Sequence, residues 1–111
     1  MAVRAIAKGV GISAKRVRPL VNALRGKNVQ SSLDALRFMP GPVALHVAKV
    51  LRSAAANAEN NMMMNLGRLK IVRAYADGGP VTKRIRARAR GRVGRILRHS
   101  SHITIEVDEE T

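Results

Sequence analysis

The chain has 111 residues, enough for one domain and too few for two. It carries 21 Lys and Arg against seven Asp and Glu, a formal net charge of +14, and no cysteine. Disulfide scaffolds, thiolate zinc sites and cysteine nucleophiles are thereby excluded, and so strong a self-repelling charge calls for a polyanion to neutralise it.

The charge is also unevenly placed. Four of the seven acids, Glu106, Asp108, Glu109 and Glu110, fall in the last six residues, so the rest of the chain is almost purely cationic. Arg outnumbers Lys 15 to 6, which favours phosphate partners because the planar guanidinium grips two oxygens at once. Phe38 and Tyr75 are the only aromatic side chains, so the core must be aliphatic. The N-terminus is interrupted by Arg4 and Lys8, unlike a secretion signal, and no apolar run approaches about 18 residues, the length a membrane span needs. A cytoplasmic protein that engages no membrane is expected.

Residues 3–12 read as a short strand broken by Gly9 and Gly11. Ser13 can then cap a first helix. Its stripe is Val17, Leu20, Val21 and Leu24, and Gly26 stands where a C-terminal cap belongs. Pro19 either kinks this helix or marks its first turn. Lys15, Arg16, Arg18, Arg25 and Lys27 surround the stripe. A second helix is predicted over about residues 30–38, with Val29, Leu33 and Leu36 inward. Pro42 suits the first turn of a third, whose face is Val43, Val47, Val50, Leu51, Ala54 and Ala58, through about Asn60. The run Ala54-Ala55-Ala56 lets another element approach closely. From Leu69 the period changes to that of strands. LKIVRAYA favours extended backbone, and SHITIEV alternates with Ile103, Ile105 and Val107 on one face. The acidic end reads as a frayed tail.

Between those two strands lies the most informative segment. Residues 78–100 hold eight Lys or Arg and no acid, and 23 residues are too many for a hairpin turn. Arg84, Arg86, Arg88, Arg90 and Arg92 recur at every second residue, a spacing that scatters charge around a helix but collects it on one face of a strand. The parity breaks after Arg92, since the next arginines are Arg95 and Arg98, so a turn is predicted somewhere in residues 87–94. Residues 69–107 then form one long antiparallel hairpin whose outer half is a cationic arm reaching about 40 Å beyond its base, at about 3.3 Å per residue. A bare two-stranded ribbon so charged is poorly stable in water, and it makes sense when threaded among phosphates.

Other chemistries fare worse. His46, His99 and His102 lack metal-ligand spacing, Met62 to Met64 read as gap-filling side chains at an element end, and Asn57 and Glu59 read as helix-end residues. No catalytic grouping, cofactor site, metal site or small-molecule substrate pocket is expected, and the chain reads as a non-enzyme. A different class of function, a nucleoid-type DNA-binding protein with a basic β-arm, is the alternative. Such arms usually insert an apolar wedge into the minor groove, and here only Ile85 and Val93 could serve.

The segments SAKRVRPLVNALRGK, NAENN, LKIVRAYADGGP and KRIRARARGRVGRILRHSSHITIEV, in this order, resemble the bacterial-type L twenty-two family of large-subunit ribosomal proteins. The resemblance runs from about Ala5 to Val107. It implies a single α/β (α+β) domain over residues 1–111, with a small three-stranded antiparallel sheet packed on three helices and residues 78–100 as a protruding basic hairpin. It further implies a structural constituent of the large subunit that binds its ribosomal RNA, supports assembly and lines the polypeptide exit tunnel. Neighbours would include a protein of the L four family and, near the tip, the nascent polypeptide. By this resemblance Lys83, Arg84, Arg86, Arg88, Arg90, Arg92, Arg95 and Arg98 are the arm's RNA contacts, and Arg88, Ala89, Arg90, Gly91 and Arg92 form the tunnel tip. Many relatives have proline where this chain has Ala87, so the tip here is expected to bend differently.

Overall fold

A computed structural model describes residues 2–87, 91 and 93–109, the arm strands 82–87 and 93–96 by their backbone. The chain begins with β1 (Val3–Val10), which pairs antiparallel with the C-terminal strand β5 (Ser101–Glu109). Their register shifts between Ala7 and Val10, where Gly9 takes φ +66° and its N–H donates to Nδ1 of His102 at 3.1 Å. Such a bulge needs the left-handed backbone that glycine alone adopts cheaply.

Helix α1 (Ala14–Leu24) buries Val17, Val21 and Leu24 as their spacing predicts, while Leu20 is only half-buried. Ser13 occupies the N-cap position, but its side chain makes no capping bond. Its carbonyl instead accepts from the N–H groups of Arg16 and Val17 at 3.1 and 3.3 Å. Pro19 lies inside the helix, not at its start. Both Pro19 and Lys15, the residue whose carbonyl loses a donor, are exposed, so water can replace the missing bond. Gly26 follows with φ +82° and does more than end the helix. Its N–H donates to the carbonyl of Ile71 at 2.8 Å, and the N–H of Ile71 donates to Lys27 at 2.9 Å, so the turn acts as a further partner for the edge of the sheet. A Cβ at this left-handed position is strained. Gly26→Ala is expected to lower stability by about 1 kcal/mol, read as a reduced denaturant midpoint at unchanged m-value.

Helix α2 (Val29–Arg37) is capped by Asn28, whose side chain accepts from the N–H of Ser31 at 3.2 Å. It buries Val29, Ser32 and Leu36, and Leu33 only partly. Helix α3 (Pro42–Asn61) begins with Pro42 in its first turn, as expected, and runs 20 residues. Val47, Val50, Leu51, Ala54 and Ala58 are buried with Ala44, Ala48 and Ala55, and Val43 packs at the margin. The small residues let α3 lie across β1 and β5 while touching α1 and α2. Asn57 and Glu59 fall within its last turns and cap nothing, because the helix continues to Asn61. Of the three methionines that follow, only Met64 packs on the core. Met62 and Met63 are exposed, the latter at φ +54°, so gap-filling accounts for one of the three.

After one 3-10 turn (Leu66–Arg68), β2 (Leu69–Gly78) pairs with β5, giving the order β1-β5-β2 with β5 in the middle. Central placement explains why Ile103, Ile105 and Val107 are fully buried, facing the helices with Leu69 and Ile71. On the other face Glu106 lies opposite both Arg4 and Arg73, with 3.6 Å between Arg73 Nε and its carboxylate. The acidic end is not wholly a frayed tail. Strand β5 extends to Glu109, whose carboxylate accepts from the N–H of Asn65 at 2.9 Å, because Leu69 and Lys70 supply partners for Glu109 and Asp108. Glu110 lies outside the described residues.

The long hairpin is built in two sections. Beyond Gly78 and Ser101 the ladder stops and restarts as β3 (Thr82–Ala87) against β4 (Val93–Arg98). Three residues, Gly79 to Val81, face two, His99 and Ser100, across the interruption. A clasp spans it: the N–H of Gly79 donates to the carbonyl of Ser100 at 2.9 Å, and the Ser100 hydroxyl donates to the carbonyl of Pro80 at 2.6 Å. The chain measures 64 × 25 × 19 Å with a radius of gyration of 17.0 Å. A compact chain of this length would have a radius near 13 Å, so an extended projection is required.

Candidate nucleic-acid interface

The backbone register decides how the arm's charges are arranged. Thr82, Arg84 and Arg86 lie opposite Arg98, Ile96 and Gly94, while Lys83, Ile85 and Ala87 lie opposite Leu97, Arg95 and Val93. Directly opposed residues of an antiparallel pair share a face. Positions 84, 86 and 98 therefore belong to one face of the ribbon, and positions 83 and 95 to the other, with 85, 87, 93 and 97. The alternation expected for Arg84 and Arg86 is present, Arg98 shares their even parity and their face, and Arg95 is the one that departs from it. Between Ala87 and Val93 the chain reverses, with Gly91 at φ +72°. Of the predicted contact and tip residues, Arg88, Ala89, Arg90 and Arg92 lie outside the described residues.

The arm's base adjoins the start of α1. Arg16 and Arg98 line one surface pocket of about 260 Å³ together with His99, Gly11, Ile12 and Ser13. A neighbouring pocket of about 320 Å³ takes in Lys15, Gly79 and Ser100 and shares Ser13 and His99 with the first. Residues that the sequence places 82 positions apart, Arg16 and Arg98, are thus joined in one cationic recess. The clasp positions it: a Cβ on Gly79 would come within 2.7 Å of the Ser100 hydroxyl oxygen, so a larger residue there would have to displace the hydroxyl that closes the clasp. Sequence reasoning treated His99 only as a metal candidate and passed over Ser100. Their position between two strand signals, at the point where basic alternation ends, was the one available hint.

The remaining predicted cations of α1 divide. Lys15, Arg16 and Lys27 are exposed. The Nε of Arg18 donates to the carbonyl of Ala76 at 3.2 Å, tying α1 to β2, and the guanidinium of Arg25 donates to the side-chain oxygen of Asn22. These two arginines serve the fold and offer only their remaining donors outward. Basic side chains that received no role from the sequence, Arg4, Lys8, Arg37, Lys49 and Arg52, are also exposed. Among the described residues no cluster of His, Asp and Glu could hold a metal ion, and no helix is long and apolar enough to cross a membrane.

The family described as ribosomal protein L22p/L17e matches residues 5–108. The chain is 53% identical over 107 residues to the large ribosomal subunit protein uL22 of Dehalococcoides mccartyi, covering 96% of this chain and 98% of that protein. It is 49% identical over 110 residues to the protein of the same name from Thermoanaerobacter pseudethanolicus, covering 99% of each. The Clostridium novyi protein of that name is 45% identical over 109 residues, 98% of each.

Proposed function

Because the chain belongs to the ribosomal protein L22p/L17e family, and is therefore a structural component of the large ribosomal subunit in the cytoplasm and not an enzyme, we propose that it holds large-subunit ribosomal RNA along its arm and at the arm's base. Family membership sets aside the nucleoid DNA-binding alternative. The observation that carries the RNA reading is the acid-free segment itself, eight basic residues within positions 83–98, whose described strands β3 and β4 pair only with each other. Phosphates against positions 84, 86 and 98, and in the recess of Arg16 and Arg98, would neutralise that charge and hold the projection in one direction. In this reading the body anchors at the subunit surface and supports assembly. The tip, Arg88 to Arg92, reaches the wall of the polypeptide exit tunnel, beside a protein of the L four family and the passing nascent chain.

The physical signature of such binding is release of the counterions condensed on RNA. The affinity of the full chain for a large-subunit ribosomal RNA fragment is expected to fall steeply as salt rises, linearly on logarithmic axes. Arg16→Ala alone should reduce that slope by about 0.7–0.9, the decrement of one phosphate contact. Filter binding at graded potassium concentrations measures both, and an affinity indifferent to salt overturns the reading.

A further inference from the structure

We propose that the groove between α2 and α3 is a docking site for another protein of the same particle, through a segment that combines an apolar side chain with acidic ones. The groove has a volume of about 400 Å³ and is lined by Leu36, Met39, Leu45 and Ala48, with Arg37 and Arg52. Leu36 and Ala48 are buried, but Met39 is 43% and Leu45 57% exposed, and Phe38, at the end of α2, is 84% exposed. One of the chain's two aromatic rings thus stands in solvent beside two further large apolar side chains. Contiguous exposed apolar surface of this kind marks interaction sites, and Phe, Met and Arg are the residue types enriched in interface centres.

Two features choose the occupant. The groove brings the apolar side chains of Leu36, Met39, Leu45 and Ala48 together with the guanidiniums of Arg37 and Arg52. A nucleic acid laid here would leave Met39 and Leu45 poorly covered, while an apolar side chain seated between them would cover both. No acidic residue lines the groove, so Arg37 and Arg52 present unopposed positive charge to carboxylates flanking that side chain. This inference needs the chain to sit in the large subunit but does not depend on how the arm meets RNA.

The test uses intact large subunits carrying the full chain with the photoreactive residue p-benzoylphenylalanine in place of Leu45. Irradiation is expected to join it to a polypeptide segment in which Asp or Glu stands within a few residues of the reacted position, identified by mass spectrometry of the joined peptides. A crosslink to RNA, a crosslink to a segment without acids, or no crosslinked polypeptide overturns the proposal. A second variant guards against a distortion caused by the probe. Leu45→Asp changes an exposed side chain, so the free protein should melt as the parent does. The crosslinked protein should nevertheless be retained several-fold less in salt-washed subunits carrying Leu45→Asp, and unchanged retention overturns the proposal equally.

Discussion

Replacing residues 82–98 with an Asn-Gly turn is expected to leave a body that still melts in one cooperative transition and to remove most of the salt-dependent affinity for ribosomal RNA. The first half follows from where the core lies. Among the described residues, the fully buried large side chains, from Val17 and Leu51 to Ile103 and Val107, all sit outside the deleted span. The clasp of Gly79, Pro80 and Ser100 also remains to close the shortened hairpin, and an Asn-Gly pair suits a two-residue turn. The second half follows from charge. The span holds Lys83 and seven arginines. If each meets a phosphate, the logarithmic salt slope should shrink by about 6, since each contact accounts for roughly 0.7–0.9. At moderate salt that corresponds to a loss of affinity of several orders of magnitude. Circular dichroism melts and binding titrations on the same preparation separate the two halves. Loss of the transition would show that the arm belongs to the fold, and an unchanged slope would show that the arm does not carry the RNA contacts.

The second large effect concerns position and not charge. Exchanging neighbours, Arg86→Ala with Ala87→Arg, keeps composition and net charge constant. Position 86 shares its ribbon face with 84 and 98, while position 87 lies opposite Val93 on the face where positions 85 and 97 are apolar and only 83 and 95 are basic. The exchange moves one guanidinium from the cationic face to the more apolar one. A charge-assisted hydrogen bond is worth about 1.5–3 kcal/mol, so RNA affinity should fall about tenfold or more, and the yield of assembled subunits should match that of Arg86→Ala alone. Footprinting of ribosomal RNA reports whether protection is lost at the same nucleotides. If the exchanged protein assembles like the parent, the arm acts as a cationic tether whose facing is irrelevant.

Much of this was legible in the chain. The stripes of α1 and α3, Pro42 at a helix start, Gly26 past a helix end and the buried alternation of Ile103, Ile105 and Val107 are all local signals, set by periods of 3.6 and 2. Local periodicity did not reveal who pairs with whom. Nothing near Gly26 announces that its N–H will meet Ile71, and nothing in residues 106–109 announces that Asn65 will hold Glu109 in a strand. The cationic recess was illegible for the same reason: Arg16 and Arg98 were each recognised as basic, but only tertiary pairing sets them side by side. Pro19 misleads any local rule because its cost falls on an exposed carbonyl that water can satisfy.

The interruption at the arm's base has a consequence for how such arms can vary in length. Three residues face two there, so the indexing of β3 against β2 is offset by one from that of β4 against β5. Because strand side chains alternate with a period of two, that odd residue works as a phase setting. Deleting one of Gly79, Pro80 or Val81 would shorten one strand by only about 3.3 Å, yet it would re-index every arm position against the body and present the opposite set of side chains to whatever lies alongside. Removing a residue pair from each arm strand, by contrast, shortens the reach while every remaining arginine keeps its facing. Length in this projection is therefore quantised in twos, and at the three-against-two joint a single residue carries the information of direction.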